Sequence, residues 1–256
     1  MTFVSLAARL AEDSAALSAW IAMPDPLVAE SAARAGFDCV TLDMQHGLHD
    51  AVSVMRGIGA VTLAGRSTIV RVPVGDFAMA SRALDMGASA VIAPMINSAD
   101  DATALVAATK YPPVGQRSWG PTRVIQLQGI EPAAYLATAN QTTLVFAMIE
   151  TVEAMAALDA ILAVPGLDAV FIGPSDLSIA LSAGANVDPM RPDNQEAASL
   201  IRTRAHAAGK KVGIFALNGA QAQLYRTLGY DFIAVGADAA YFALGAATML
   251  SEARRD

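Results

Sequence analysis

Two acidic residues end two successive apolar runs, where a parallel sheet would bring them to the same edge. Glu150 ends the run Phe146-Ala147-Met148-Ile149, and Asp176 follows Phe171-Ile172-Gly173-Pro174-Ser175. They lie 176 − 150 = 26 residues apart, which is about the length of one strand and one helix. Two carboxylates suit a divalent cation, and the N–H groups of the turn that begins at Gly173 suit an anion. The spacing therefore predicts a shared site for both.

Other chemically active side chains end neighbouring apolar runs. Asp43 ends one run and is followed by His46, and Arg71 ends the next within Val70-Arg71-Val72-Pro73. In a parallel barrel, catalysis occupies the C-terminal ends of the strands. We therefore expect these side chains to converge on the same face as Glu150 and Asp176.

This set of groups suits the formation of an enolate from a 2-oxo acid. A metal and Arg71 would polarise the ketone and stabilise the enolate that follows. The N–H groups of Ser175 and Asp176 would hold the adjacent carboxylate, as helix N-termini do. His46 would move the proton, directly or through a water.

Each of these residues also has a purely structural interpretation. Arg71 suits an ion pair, Asp176 suits the N-cap of a short helix, and His46 before Gly47 suits a turn. Glu150 is harder to explain in this way, because an acid that ends a buried strand needs a partner. One shared site would explain why all four residues lie at the ends of predicted strands.

The elements that must position these residues alternate along the whole chain. The predicted strands are Leu17–Ala22, Cys39–Asp43, Thr68–Val72, Ala90–Pro94, Thr143–Ile149, Ala169–Ile172, Lys211–Phe215 and Phe232–Val235. The predicted helices are Pro26–Ala35, Asp50–Leu63, Ala78–Met86, Ala99–Thr109, Val152–Leu162, Asn194–Ala208, Ala220–Leu228 and Ala239–Arg254. Apolar strands joined by helices pair in parallel through right-handed crossovers. This α/β pattern predicts one (β/α)8 TIM-barrel domain over residues 1–256, with long connections at Tyr111–Glu131 and Leu181–Asp193.

Composition restricts the class of protein further. The chain is 54% apolar and 16% charged, which indicates a heavily buried sheet and excludes disorder. Its net charge of −7 argues against a nucleic-acid partner and against an anionic membrane surface. No apolar run reaches the roughly 18 residues that cross a membrane. The absence of a signal-like N-terminus and the single cysteine, Cys39, predict a cytoplasmic, reducing location.

The inventory of reactive residues also excludes several chemistries. None of the three lysines, Lys110, Lys210 and Lys211, ends a strand at the catalytic face, which disfavours a Schiff-base or pyridoxal enzyme. His49 and His206 stand apart from the cluster, so a zinc site is disfavoured and Mg²⁺ or Mn²⁺ is favoured. The glycines form no nucleotide-binding motif after a strand.

Several motifs in order along the chain resemble those of the HpcH/HpaI family of class II, metal-dependent pyruvate aldolases. These motifs are Leu42-Asp43-Met44-Gln45-His46-Gly47, Val70-Arg71-Val72-Pro73, Leu84-Asp85-Met86-Gly87-Ala88, Tyr111-Pro112-Pro113-x-Gly115-x-Arg117, Ile149-Glu150 and Gly173-Pro174-Ser175-Asp176-Leu177-Ser178. The resemblance covers nearly the whole chain, and the combination is far more specific than any single motif.

The resemblance implies a phosphoenolpyruvate/pyruvate-type barrel assembled as a hexamer, a trimer of dimers with the last helix swapped between partners. It implies that Glu150 and Asp176 bind Mg²⁺, Mn²⁺ or Co²⁺ and that Arg71 stabilises the transition state. His46 would be the base, acting through a metal-bound water, with Asp85 raising its basicity. Asp85 lies near the C-terminus of its predicted helix, towards the opposite face of the barrel from His46. A contact across a subunit interface, or a different helix end, would resolve this conflict.

Two positions depart from the family pattern. Met148 stands where the family often has a glutamine that contacts substrate, and Ser118 replaces the glycine after Arg117. The resemblance implies reversible cleavage of a 4-hydroxy-2-oxo acid to pyruvate and an aldehyde, as in aromatic catabolism. We expect Trp119, Leu217 and the Leu181–Asp193 loop to select the aldehyde. The alternatives are a lyase of the same superfamily that acts on a CoA thioester, and a barrel that binds a 2-oxo acid without turnover.

Overall fold

The strands of the protein close into a parallel barrel in chain order. The computed structural model describes residues 5–255, and in it each strand pairs with the next and β8 pairs with β1. The strands are β1 (Ala16–Ile21), β2 (Cys39–Asp43), β3 (Ser67–Arg71), β4 (Ala90–Ala93), β5 (Leu144–Ile149), β6 (Ala169–Ile172), β7 (Lys211–Ala216) and β8 (Phe232–Val235). The predicted (β/α)8 barrel is confirmed, and each strand boundary lies within about one residue of its predicted position.

Helices connect the strands on the outside of the barrel. They are α1 (Leu6–Leu10), α2 (Pro26–Arg34), α3 (Ala51–Leu63), α4 (Phe77–Met86), α5 (Ala99–Thr109), α6 (Thr122–Gln128), α7 (Pro132–Thr142), α8 (Val152–Ala156), α9 (Leu158–Leu162), α10 (Pro174–Leu181), α11 (Pro192–Ala207), α12 (Gly219–Thr227) and α13 (Asp238–Ala253). Two predictions need correction. The connection Tyr111–Glu131 contains α6. The single helix predicted over Val152–Leu162 is interrupted at Ala157, where ψ is 3°, and forms α8 and α9.

Successive side chains of each strand point to opposite faces of the sheet, which gives the protein two apolar cores. One core lies between the sheet and the surrounding helices, and the other fills the barrel with aromatic rings such as Phe146, Phe171 and Phe232. Leu6 and Leu10 of α1 belong to the inner core, so this short helix closes the end of the barrel from which the strands begin. Cys39 lies in the inner core, where burial raises the pKa of its thiol to about 12. This environment excludes a reactive thiolate.

An aspartate clamp recurs at the start of three even-numbered strands. Asp38, Asp168 and Asp231 directly precede β2, β6 and β8, and each follows the pattern Gly-apolar-Asp. Their carboxylates accept N–H groups of the preceding strand, from Leu17 at 2.8 Å, Val145 at 2.8 Å and Val212 at 2.9 Å. A cationic side chain also contacts each one, from Arg9, Lys110 and Lys211 respectively. The clamps satisfy donors that would otherwise lie unpaired at the ends of parallel ladders.

The last helix, α13, is fixed to the barrel only through its first turn. Asp238 accepts the N–H groups of Ala22 and Met23, at 2.9 and 2.8 Å, and is the one buried residue of this helix. Beyond it, Phe242 is 76% exposed and Met249 is 74% exposed. A cavity of about 520 Å³ lies between this first turn and α2. Across the described part of the chain, no helix is long and apolar enough to span a membrane.

Candidate active site

A cavity of about 180 Å³ opens at the C-terminal ends of the strands. One side of it is polar and the other is apolar. It is lined by Trp20, His46, Arg71, Met148, Phe171, Gly173, Pro174, Ser175, Asp176 and Phe215. The structure therefore brings together, around one cavity, predicted site residues that are far apart in sequence.

Arg71 is held in a fixed orientation by Asp43. The two residues are register partners at the ends of β3 and β2. The Nε and Nη2 groups of Arg71 donate to the two carboxylate oxygens of Asp43 at 2.8 and 2.7 Å. Nη1 makes no hydrogen bond to any residue between 5 and 255, and Arg71 lines the cavity. This nitrogen is therefore available to a bound molecule.

Asp43 accepts so many hydrogen bonds that it serves to position other groups. Besides Arg71, it accepts from Trp20 Nε1 at 3.2 Å and from the backbone N–H groups of Gln45 at 3.0 Å and His46 at 3.4 Å. Burial alone would raise the pKa of Asp43, but these donors and the charge of Arg71 hold it below its usual value. A carboxylate in this state is a poor proton acceptor, so we interpret Asp43 as an anchor for Arg71 and for the loop of His46.

His46 lies in a tight turn and at the cavity edge at once. Its side chain is exposed and lines the cavity, while its backbone N–H reaches Asp43. The next residue is Gly47, where a Cβ atom would overlap the carbonyl oxygen of Asp43. The structural and the catalytic interpretations of this residue are therefore compatible.

Glu150 is buried at the end of β5 beside Gly173. Its Oε1 accepts the backbone N–H of Met95 at 2.9 Å, and Met95 has a left-handed backbone with φ of 56°. A Cβ atom at position 173 would overlap Glu150 Oε2, so glycine is required at that position. Burial raises the pKa of Glu150 to about 7; the Met95 N–H opposes this rise and the charge of Asp176 adds to it.

Asp176 is the third residue of α10 and lies in its first turn. No side chain caps this helix, and the exposed Asp176 carboxylate makes no hydrogen bond within the described segment, which leaves the capping interpretation without support. The first intrahelical bond joins the Leu177 N–H to the Gly173 carbonyl at 2.9 Å. The N–H groups of Ser175 and Asp176 therefore have no partner inside the helix and face the region of the cavity.

The donor set fits a hard divalent cation. Glu150 offers one carboxylate oxygen that Met95 does not hold, and the unbonded carboxylate of Asp176 lies near enough to raise the Glu150 pKa. A cation would relieve both the burial and the mutual repulsion of these two charges. Residues 5–255 contain no cluster of three or more histidine, cysteine or acidic ligands. Water and substrate would therefore complete the coordination, as is usual for Mg²⁺ and unlike a structural zinc site.

Three predicted site residues lie away from the cavity within this chain. Asp85, near the end of α4, receives a hydrogen bond from Arg117 Nη2 at 2.5 Å rather than contacting His46. Trp119 is half exposed and packs against the rings of Tyr111 and Tyr135. Leu217 follows β7 and is 49% exposed, outside the cavity lining. Their predicted roles would require a second copy of the chain or a larger substrate.

The sequence reasoning missed two groups of residues at the cavity. Trp20, Phe171 and Phe215 form an aromatic wall, with ring centroids 5.7 Å apart for Trp20 and Phe171 and 5.4 Å apart for Trp20 and Phe215. Met95 orients Glu150 from the loop after β4. A sequence signal for Trp20 and Phe215 was available: both are aromatic residues near the C-terminal ends of strands, at positions that face the inside of the barrel.

These features define a parallel (β/α)8 barrel that places an arginine and two carboxylates at or beside one cavity at the C-terminal ends of its strands. The chain belongs to the HpcH/HpaI aldolase/citrate lyase family, whose family model matches residues 17–243. The resemblance expected from the motifs is therefore confirmed.

Individual relatives agree with this assignment. The chain is 40% identical over 243 residues to a hydroxypyruvate/pyruvate aldolase of Rhizorhabdus wittichii, covering 95% of this chain and 96% of that protein. It is 37% identical over 227 residues to a 4-hydroxy-2-oxo-heptane-1,7-dioate aldolase of Salmonella typhimurium, covering 89% and 86%. The crystal structure of a family member from Burkholderia cenocepacia superimposes with a TM-score of 0.87 at 31% identity, covering 98% and 99%. The prediction of an aldolase-type lyase is thus confirmed at the level of enzyme class.

Proposed function

We propose that the protein is a divalent-metal-dependent aldolase that reversibly cleaves a 4-hydroxy-2-oxo acid to pyruvate and an aldehyde. The observation that carries this proposal is the placement of Arg71, fixed by Asp43, in one cavity with Asp176 and the N-terminus of α10. Glu150 directly follows β5 and lies against Gly173, which lines this cavity. The proposal is also supported by the names of the relatives.

The substrate would bind through its 2-oxo acid end. The N–H groups of Ser175 and Asp176 would hold the carboxylate, because a helix N-terminus favours an anion. Arg71 Nη1 would donate to the oxygen of the ketone. A Mg²⁺, Mn²⁺ or Co²⁺ ion held by Glu150 and Asp176 would supply Lewis acidity to the same oxygen.

Cleavage requires the movement of one proton and the breaking of one bond. His46, at the cavity edge, would accept the proton of the C4 hydroxyl group as the C3–C4 bond breaks. The electron pair of that bond passes to the pyruvate enolate, whose oxygen carries negative charge beside Arg71. The aldehyde leaves, and protonation at C3 completes pyruvate. The reverse sequence forms the bond.

A second candidate function is the cleavage of a CoA thioester, since the family description names citrate lyase beside aldolase. A cavity of about 180 Å³ with Arg71 as its one lining cation does not favour a large ligand that carries several phosphates. This observation favours the short 2-oxo acid.

The experiment that tests the proposal is the exchange of pyruvate methyl protons with ²H₂O, followed by NMR. Exchange should be absent from EDTA-treated protein and should appear on addition of Mg²⁺ or Mn²⁺. Cleavage of 4-hydroxy-2-oxo-heptane-1,7-dioate should show the same dependence. Exchange that is absent under both conditions would favour a non-catalytic binding barrel, and activity on acetyl-CoA would favour the thioester lyase.

We further propose that the enzyme assembles as a hexamer, a trimer of dimers in which α13 packs on a partner subunit. The exposed apolar residues of α13 and the apolar cavity beside α2 support this assembly. In such an assembly Asp85 and Trp119, which lie outside the cavity of their own subunit, would act across a subunit contact. The buried free thiol of Cys39 supports operation in the reducing cytoplasm.

A further inference from the structure

We propose that Trp20 is a positioning residue that sets the orientation of Arg71 for catalysis. This inference rests on the proposed function, since it concerns how Arg71 meets the substrate. Trp20 lies on β1, the strand next to β2, and is 4% exposed. It belongs to no motif from which the activity was inferred.

Trp20 contacts both members of the Arg71–Asp43 pair. The guanidinium carbon of Arg71 lies 4.8 Å from the centre of the indole ring, over its face. The indole N–H donates to Asp43 Oδ2 at 3.2 Å, and this oxygen also accepts Arg71 Nη2. The three side chains form a closed set in which each contacts the other two.

The geometry of this set determines which nitrogen of Arg71 faces the cavity. Asp43 holds Nε and Nη2 of Arg71 in the plane of its carboxylate. It does not by itself fix how the Arg71–Asp43 pair is rotated about the strand. The indole face supports the guanidinium from one side through a cation–π contact, which is strengthened by burial. Together these contacts leave Nη1 directed at the bound ketone.

Trp20 is itself held rigidly enough for this task. Its ring stacks on Phe171 with an interplanar angle of 27° and meets the edge-on ring of Phe215 at 86°. The hydroxyl of Tyr241 in α13 lies 3.4 Å from the Trp20 backbone nitrogen. A ring held on several sides has few rotamers available, so it can transmit its orientation to Arg71.

A double-mutant cycle tests this inference with the holoenzyme. The single variants Trp20→Phe and Arg71→Lys, and the double variant, are compared with wild type for kcat and KM of aldol cleavage. Trp20→Phe keeps a ring and removes the N–H donor to a charged partner, so kcat should fall about 10- to 100-fold with little change in KM. In the Arg71→Lys background the same substitution should lower kcat less than about threefold, because the guanidinium group that Trp20 orients is already absent.

Control measurements separate positioning from general packing. Phe146→Leu removes another buried ring of the inner core that contacts neither Arg71 nor Asp43, and its kcat should stay within about twofold of wild type. The affinity of Trp20→Phe for Mn²⁺, measured by calorimetry, should match wild type. Should Trp20→Phe fail to fold, Trp20→Tyr is put through the same cycle.

The outcomes are distinct. Equal losses of kcat from the Trp20 substitution in both backgrounds, or an equal loss in Phe146→Leu, would overturn the positioning role. A wild-type protein without metal-dependent proton exchange would instead refute the proposed function.

Discussion

At the scale of single residues, the proposed function assigns the cation and the guanidinium to different side chains. Asp176 and Glu150 would hold the cation, whereas Arg71 is held by Asp43 and has one nitrogen without a hydrogen bond to residues 5–255. No hydrogen bond joins these two sets within the described residues, and their coupling is electrostatic, because the charge of Arg71 opposes the rise in the Glu150 pKa. This separation can be tested with one pair of variants.

Asp176→Ala should lose the metal, and Arg71→Ala should keep it. Changes to the partners of metal ligands already weaken metal binding by about 10- to 100-fold, so loss of a direct ligand should cost at least about 100-fold. Calorimetric titration with Mn²⁺ measures this, and both variants should lack proton exchange. Asp193→Ala, which removes an exposed carboxylate outside the cavity, is the matched control. Unchanged Mn²⁺ affinity in Asp176→Ala would remove Asp176 from the site.

Residues that end strands could be predicted from the sequence, and residues that orient them could not. Asp43, Arg71 and Glu150 follow apolar runs, and parallel pairing alone brings such positions to one edge. Trp20 resembles any aromatic residue in a buried strand until its contact with Arg71 is seen. Met95 depends on a positive φ that no sequence pattern here indicates.

At the scale of elements, the loop after β4 stores strain where it meets Glu150. Met95 has φ of 56°, a conformation that non-glycine residues adopt at a cost of about 1–2 kcal/mol, and its N–H holds Glu150 Oε1. The neighbouring Asn97 accepts a hydrogen bond from Thr151 at 2.5 Å, which joins this loop to the one after β5. The loop thus orients the carboxylate of Glu150, a proposed metal ligand, through its backbone.

Met95→Val should destabilise the protein by about 1–2 kcal/mol, because a β-branched residue tolerates positive φ poorly. Met95→Gly should change the free energy of unfolding by less than about 1 kcal/mol, since relief of strain offsets the added chain entropy. Urea denaturation measures both. Met190→Val, at a comparably exposed methionine without positive φ, should cost little. An equal loss of unfolding free energy in Met95→Val and Met190→Val would contradict the presence of strain at Met95.

The aspartate clamps contribute stability that depends on pH. Burial alone would raise the pKa of Asp231, but hydrogen bonds from Lys211, His206 and the Val212 N–H hold it below its usual value. A depressed pKa contributes stability above the unfolded value of about 3.8, which is lost as the pH falls through the folded value.

Asp231→Asn should therefore lower the free energy of unfolding by about 1–3 kcal/mol at pH 5, with a smaller effect below pH 4. Chemical denaturation of both proteins between pH 5 and pH 2.5 measures this convergence. Asp188→Asn, an exposed carboxylate outside the clamps, should show no such trend. A constant difference between Asp231→Asn and wild type at every pH would contradict the linkage.

Long periodic elements were predictable, whereas short ones were not. The strands and the seven helices other than the Val152–Leu162 segment lie within two residues of their predicted limits, since burial and glycine stop signals mark them. Helices α1, α6, α7 and α10 are absent from the predicted set, and each has at most 11 residues. No side chain caps α6, α7 or α10, although the proline that begins α7 and α10 was a usable start signal. The break falls at Ala157, where no glycine or proline signals it in the sequence.

At the scale of the whole molecule, α13 has an apolar surface that its own barrel does not cover. Its side chains Phe242, Leu244 and Met249 are each more than half exposed, yet Asp238 and Tyr241 fix the direction of the helix. A surface of this kind usually marks an interface. The proposed swap would bury it against a partner.

The double variant Phe242→Glu, Met249→Glu should therefore dissociate the assembly. Six chains of 26.4 kDa give 6 × 26.4 = 158 kDa, and light scattering after gel filtration should find this mass in wild type and a smaller one in the variant. Leu200→Glu, on the exposed face of α11, should keep the wild-type mass. A wild-type mass of 26.4 kDa would refute the assembly.

The aspartate clamps have a consequence for how this barrel could acquire new substrates. They lie where strands begin, and the cavity lies where strands end, so the groups that keep strand alignment do not touch the substrate. Cavity side chains can therefore be replaced without loss of strand alignment. Substitutions that change the substrate are tolerated at the C-terminal ends of the strands, while the groups at the N-terminal ends maintain the fold.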